Sequence, residues 1–315
     1  MHWYGFVLIA AGALAALYLI GGFALFCYLC LPPKRHAYEP QGRWIQYANE
    51  MRDTARAMAD FPHELVSIRS FDGTVLRAKL YPNEKKDRIL VLAHGYHSSP
   101  SKDFGACFTR LYRAGYTILA VDMRAHGASE GKYIGFGALD QKDVRCWMDD
   151  LVKRFGKDCR IGLIGISMGA ATVMLVSGGQ PLPQLKCIVE DCGYTSISEV
   201  VHHIERKQHY PSISFCAVAS LWCRLLAGYS FRETRAIDAV RRSTVPMLFL
   251  HGDADTFVPF SMLEPLYAAC GALKEKVVFE GAAHAESSYR EPDRYEKTVI
   301  GFLQQYLEPK GERTK

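Results

Sequence analysis

Residues 159–177, CRIGLIGISMGAATVMLVS, decide how the rest of the chain is read. The first half, Arg160 to Ile166, is an apolar run rich in isoleucine with no polar alternation, as in a strand buried on both faces of a parallel sheet. The second half, from Met168, is small and apolar, as a helix packed tightly on that sheet must be. At the junction stands Gly165-Ile166-Ser167-Met168-Gly169, a G-x-S-x-G pentapeptide. A turn this sharp needs side chains that nearly vanish two residues either side of the serine, and glycine meets that demand. It holds the Ser167 hydroxyl clear of the sheet, at the amino end of a helix. There the Met168 N–H and the helix dipole can face developing negative charge. The bland alternative is a glycine-rich turn that happens to hold a serine. The strand before it and the helix after it weigh against that.

Working outward, the chain alternates. Leu65 to Ser70 and Val75 to Tyr81, divided by Asp72-Gly73, read as a β-hairpin. Further strands are expected at Arg88 to Ala93, Tyr116 to Asp122, Arg160 to Ile166, Leu185 to Glu190, Val245 to Leu250 and Lys276 to Glu280. Helices are expected at Lys102 to Ala114, Leu139 to Phe155 and Ala170 to Ser177. An antiparallel start followed by strand–helix repeats predicts an α/β fold, a mostly parallel central sheet with helices on both faces. Ligand chemistry then belongs at the carboxyl ends of the strands. One segment, 199–233, breaks the alternation between the sixth and seventh strands. It passes from a stretch with His202, His203 and His209 into the apolar run ISFCAVASLWCRLLAGYSF. Two readings stay open: an extra helix completing the core, or a small helical cap over an acyl pocket.

The amino terminus is different in kind. Trp3 to Leu31 carries no charge, and as a helix it is on the order of 40 Å long, enough to cross a hydrocarbon core of about 30 Å. A cleaved signal peptide fits poorly, because no basic residue precedes the run and the run is too long. Pro32-Pro33 stop the helix and Lys34-Arg35 follow, so charge predicts a single-pass anchor with the bulk of the protein on the cytoplasmic side. Gly42 to Asp60 places Trp44, Tyr47, Ala48, Met51, Ala55 and Met58 at helical spacing, an amphipathic helix that packs on the domain or lies on the bilayer. The expected organisation is an anchor over 1–33, a juxtamembrane helix over 34–62 and a catalytic domain over 63–310.

The net charge of +5 is small and its lysines and arginines are dispersed, which excludes a nucleic-acid stripe. Ten cysteines show no paired zinc spacing; Cys27-Tyr-Leu-Cys30 falls inside the apolar segment, and Cys107, Cys146, Cys187 and Cys192 sit in apolar runs. They are read as reduced thiols, and neither metal nor cofactor is expected.

A serine hydroxyl is a poor nucleophile until a base takes its proton, and that base needs an orienting carboxylate. After the strand at Val245 comes His251-Gly252-Asp253-Ala254-Asp255-Thr256-Phe257-Val258-Pro259, and after the strand at Lys276 comes Gly281-Ala282-Ala283-His284. The chain order is Ser167, Asp255, His284. Each also has a plainer reading: His284 as a surface-loop residue, Asp255 as a helix cap. Asp191, at the end of an earlier strand, is the rival acid, with capping the helix at Thr195 or fixing the loop as its alternative role. His94, His126 and His251 are expected to hold loops or strand ends, Asp253 to turn outward, and His97, Ser98 and Ser99 to line the mouth.

From about His63 to Leu307 the sequence resembles the α/β-hydrolase-fold serine hydrolases. The residues carrying the likeness are His94-Gly95-Tyr96, Asp122-Met-Arg-Ala-His126-Gly127-Ala-Ser129, GISMG, HGDADTFVP and GAAH. The resemblance implies that Tyr96 and Met168 supply the two oxyanion N–H groups. The D-x-R-x-H-G-x-S pattern is similar to that of the lysophospholipase and monoacylglycerol-lipase-like branch, and the anchor to that of bacterial membrane-anchored members. The implied activity is cleavage of carboxylic esters through an acyl-enzyme, on a small acyl ester, with the lipid bilayer as the other partner. A serine peptidase or thioesterase of the same fold is the alternative, and a non-catalytic membrane-tethered binding protein a remoter one.

Overall fold

The structure is a computed structural model that describes residues 3–32, 40–180, 182–208 and 214–308. Pro33, Lys34 and Arg35, on which the orientation argument rested, and His209 lie outside the described residues.

Eight strands form one sheet in the order β1-β2-β4-β3-β5-β6-β7-β8. They are β1 (Glu64–Arg69), β2 (Val75–Tyr81), β3 (Lys85–Ala93), β4 (Tyr116–Val121), β5 (Arg160–Ile166), β6 (Leu185–Asp191), β7 (Met247–Gly252) and β8 (Lys274–Phe279). β1 pairs antiparallel with β2, and β2 antiparallel with β4; every later pairing is parallel. β4 is buried at every position and β5 at all but Arg160, so their apolar runs do not alternate.

The helices, in chain order, are α1 (Trp3–Cys30), α2 (Ala48–Asp60), α3 (Pro100–Asp103), α4 (Gly105–Arg113), α5 (Asp140–Phe155), α6 (Met168–Ser177), α7 (Ile197–Lys207), α8 (Cys216–Trp222), α9 (Ala236–Arg242), α10 (Leu263–Ala269), α11 (Ser287–Arg290) and α12 (Pro292–Leu307). One face of the sheet buries Phe108 and Leu111 of α4 with Val299, Leu303 and Leu307 of α12; the other buries Trp147 of α5, Met174 of α6, Val240 of α9 and Leu266 of α10. The fold class expected from the sequence is the one found.

Local departures have local causes. The helix expected over 102–114 is two helices, because Phe104 sits at φ −99°, ψ 4° between Ser99-capped α3 and α4. β7 runs on through His251 and Gly252, two residues past the expected end, since its register with β8 continues to the Gly252–Phe279 pair.

The segment between β6 and β7 forms α7, α8, a π-helical turn (Cys223–Ala227), a 3-10 turn (Phe231–Thr234) and α9. Its apolar part lies along α1. Tyr18 Oη donates to the Ser214 carbonyl at 2.9 Å, the Trp222 indole N–H donates to the Leu19 carbonyl at 3.2 Å, and Cys30 Sγ lies 3.3 Å from Cys223 Sγ. α1 therefore has two halves. Residues 3–17 are exposed apart from the half-buried Gly5, whereas Gly22, Phe26, Leu29 and Cys30 are buried at helical spacing against α8 and the loop at Tyr133. All ten cysteines carry free thiols.

Candidate active site

The turn after β5 holds Ser167 at φ 57°, ψ −114°, a backbone region that costs a non-glycine residue about 1–3 kcal/mol. Both flanking glycines are required by contact. A Cβ on Gly165 would lie 2.3 Å from the Gly169 carbonyl oxygen, and one on Gly169 would lie 1.9 Å from that of Ala93. The serine N–H donates to the Asp191 carbonyl at 2.9 Å, which pins the turn to β6.

His284 arrives on the loop after β8, and Asp255 on the loop after β7. Ser167 Oγ is 2.9 Å from His284 Nε2, and His284 Nδ1 is 2.7 Å from Asp255 Oδ2. An ionised carboxylate only accepts, so Nδ1 carries the proton and Nε2 is left to accept from the serine. Asp255 Oδ1 accepts from the N–H groups of Phe257 (2.9 Å) and Val258 (3.0 Å), and His251 Nε2 lies 3.4 Å from Oδ2. Burial alone would raise the Asp255 pKa; the hydrogen bonds and charges of His251 and His284 outweigh it and hold the carboxyl well below its ordinary range. The Phe257 ring packs against the imidazole at 4.9 Å, tilted by 52°.

The loop after β3 crosses above the serine so closely that a Cβ on Gly95 would meet Ser167 Cβ at 3.2 Å. The Gly95 N–H donates to Asp103 Oδ2 at 2.6 Å, and the Ser98 hydroxyl bonds the other carboxylate oxygen. Tyr96 follows directly and lines the cavity with Ser167. Met168 is the first residue of α6, where helix N–H groups have no intrahelical acceptor. Tyr96 therefore shares the cavity with Ser167, and Met168 follows the serine directly.

His94 and His126 have structural partners. His94 donates from Nδ1 to the Gly95 carbonyl (2.8 Å) and accepts at Nε2 from Met123 N–H (3.1 Å); burial pushes its pKa down to about 3. His126 accepts from His97 N–H at 3.1 Å. Asp253 turns outward and accepts from Gly281 N–H at 2.6 Å. The rival acid, Asp191, has its carboxyl near the Ser287 hydroxyl at 3.4 Å, and burial pushes its pKa up to about 6. It does not cap α7: that role belongs to Ser196, whose hydroxyl accepts from Glu199 N–H at 3.3 Å.

The D-x-R-x-H-G-x-S stretch holds the scaffold together. Arg124 bridges Asp143 (2.7 Å) and Asp72 (2.7 Å), Asp122 accepts from Ala128 N–H (2.8 Å), and Ser129 donates to the Asp122 carbonyl (2.6 Å). Cys192, Asp255 and His284 lie near enough together to suggest a metal set. The carboxylate and imidazole are already committed to each other, and burial pushes the Cys192 thiol far above its ordinary pKa, so the trio is a poor fit for an ion.

A cavity of about 380 Å³ opens on Ser167 and His284. Among the described residues its lining includes none from 199–233; α7 only braces the rim, through His203 Nε2, 3.2 Å from the carbonyl of Thr256. The wall is supplied instead by Arg43 and Trp44, in a 3-10 turn (Gly42–Tyr47) before α2. Sequence reasoning saw Trp44 only as part of an apolar stripe. It also missed Glu286, which the structure ties to that turn and to the His284 loop; a carboxylate two residues past the histidine was the available signal.

A family model described as serine aminopeptidase, S33, matches residues 84–190, and one described as serine hydrolase (FSH1) matches 148–285, a span containing Ser167, Asp255 and His284. The chain is 28% identical to the Bacillus subtilis protein YqkD over 190 residues, 60% of this chain and 62% of that one. It is 26% identical to the α/β hydrolase domain-containing protein WAV2 of Arabidopsis thaliana over 257 residues, covering 79% and 80% respectively. Among solved structures, the Pyrococcus furiosus esterase Pf2001 superposes with a TM-score of 0.68 at 21% identity, over 89% of this chain and 99% of that one. By its sheet, its helices and the superposition the chain has the α/β-hydrolase fold, and two stretches of it match serine aminopeptidase and serine hydrolase family models.

Proposed function

We propose that the chain hydrolyses carboxylic esters through Ser167, His284 and Asp255. The observation that carries this reading is the continuous relay from Ser167 Oγ to His284 (2.9 Å) to Asp255 (2.7 Å) on a strained turn facing a cavity. His284 Nε2 takes the serine proton as Oγ attacks the acyl carbonyl, and the Tyr96 and Met168 N–H groups face the oxyanion. His284 then gives that proton to the departing alkoxide. Water, deprotonated by the same imidazole, cleaves the acyl-enzyme and releases the acid.

A membrane setting is part of the reading. α1 is 28 residues long with an exposed apolar surface over residues 3–17, and the proposed unit is a single-pass anchor with the catalytic domain on the cytoplasmic side. Residues 3–17 span about 22 Å, so crossing a core of about 30 Å takes in the first turns of the docked half as well. The Tyr96 hydroxyl donates to the Tyr28 carbonyl of α1 at 3.2 Å, which sets the mouth of the cavity beside the anchor and favours amphiphilic acyl substrates.

The serine aminopeptidase match supports a second reading. An aminopeptidase needs a carboxylate for the substrate ammonium. Asp103 lines the cavity, but its oxygens are engaged by Gly95 N–H and Ser98, and burial raises its pKa. Purified protein offered p-nitrophenyl esters of graded chain length and aminoacyl p-nitroanilides separates the two. The ester reading predicts ester turnover and fluorophosphonate labelling at Ser167; faster turnover of the anilides overturns it.

A further inference from the structure

Glu286 is buried two residues beyond His284, and among the described residues its neighbours come from both ends of the chain. On the histidine side, Oε2 accepts from Ala283 N–H at 2.8 Å, and Glu286 N–H donates to the Ala283 carbonyl at 3.1 Å, closing the turn that carries His284. On the other side, Oε1 accepts from Tyr47 Oη (3.0 Å) and Gln46 Nε2 (3.3 Å), and Arg43 Nη1 stands 3.8 Å from Oε2. Oε1 is held by the 3-10 turn Gly42–Tyr47 alone, while Oε2 holds the histidine turn and also faces Arg43 of that 3-10 turn.

The aromatic packing follows the same route. The rings of Trp44 and Tyr47 lie 5.8 and 5.2 Å from that of Tyr289, whose hydroxyl donates to the Lys102 carbonyl at 2.6 Å. Arg43 and Trp44 line the cavity themselves. A residue in this position sets the geometry of a proton relay, which loses efficiency when the imidazole shifts by fractions of an ångström.

We infer that Glu286 is a positioning residue for His284, and that the turn at 42–47 acts on turnover through it as a fixed wall of the active site. The inference rests on the reading of His284 as the base. It also moves the amino-terminal limit of the catalytic unit from residue 63 to about residue 42, because the juxtamembrane turn is part of the machinery.

The test uses full-length protein and the variants Tyr47→Phe, Glu286→Gln, their combination, and His284→Ala. Active sites are counted with a fluorophosphonate, and the acylation rate per site is measured on p-nitrophenyl butyrate. Tyr47 Oη touches neither the cavity nor the imidazole, so a purely structural role predicts an altered melting temperature with the per-site rate unchanged. The inference predicts a per-site rate lowered about 10-fold in Glu286→Gln and about 3-fold in Tyr47→Phe. The double variant should fall no further than Glu286→Gln, because both act through one carboxylate. Rates within twofold of the parent in both single variants, or fully multiplicative losses, overturn it. A His284→Ala protein with parental activity removes the underlying reading instead, a distinct result.

Discussion

Helices α1 and α6 are both apolar on every side, and they end in opposite surroundings. Nine of the ten residues of α6 are buried, wedged between the sheet and helices α5 and α9. Of the 28 residues of α1 only Gly22, Phe26, Leu29 and Cys30 are buried. A helix without a polar face belongs either in a core or in a bilayer. Length and neighbours decide which. α6 is joined to a strand by one strained residue and has no freedom to leave the sheet; α1 is long, terminal, and touches the domain along one stripe.

Glycines on the two helices break or sharpen that comparison. Gly169→Ala in α6 drives a Cβ to 1.9 Å from the Ala93 backbone oxygen, where no side chain can yield. We expect a loss of about 4 kcal/mol or more, read as failure to reach a cooperative thermal transition, with no ester turnover. A tolerated substitution would mean that α6 is less tightly seated than its burial implies.

A second effect reports how dry the surroundings of α6 are. Glu190, whose Oε2 accepts from Gly193 N–H at 2.9 Å, is fully buried, and burial pushes its pKa up to about 8. The folded state therefore binds a proton that the unfolded state releases near pH 4.5. This contribution to stability is fully present below that pH and is lost as pH rises through about 8. Urea midpoints should fall by the equivalent of about 5 kcal/mol across this window, and Glu190→Gln should flatten the profile. A parental profile that is already flat would show that water reaches Glu190.

Within α1 the same residue type should give two answers. A Cβ on Gly22 would meet Val218 Cγ1 of α8 at 2.2 Å, whereas one on Gly12 meets nothing within 4 Å. Gly22→Ala should cost about 2 kcal/mol, seen as protease sensitivity around α8. Gly12→Ala should be neutral or stabilise the helix by less than about 1 kcal/mol. Equal effects at the two positions would remove the division of α1 into a free and a docked half.

How much of this could be read from the chain follows the range of the forces. The strands were legible because β4 and β5 are buried on both faces and their sequences say so without help from elsewhere. The positions of Ser167, Asp255 and His284 followed from strand ends, since a parallel sheet delivers its carboxyl ends to one rim. The break at Phe104 gave no signal, because a phenylalanine before glycine suits a helix as well as a kink. Nor could the partner of residues 214–227 be foreseen: an apolar helix serves equally as roof, core or buttress, and only long-range packing on α1 chose the last. Glu286 left only the faint signal of a carboxylate two residues past His284, its importance residing in Tyr47 and Gln46, about 240 positions away.

The central claim is that the hydroxyl at 167 does the chemistry. Hydrolysis of p-nitrophenyl butyrate by the full-length protein and by Ser167→Ala, at matched folded concentration, addresses it directly. The account predicts a fall in kcat of about 10⁴-fold or more, with the thermal transition preserved. A variant that keeps kcat within tenfold of the parent would contradict it.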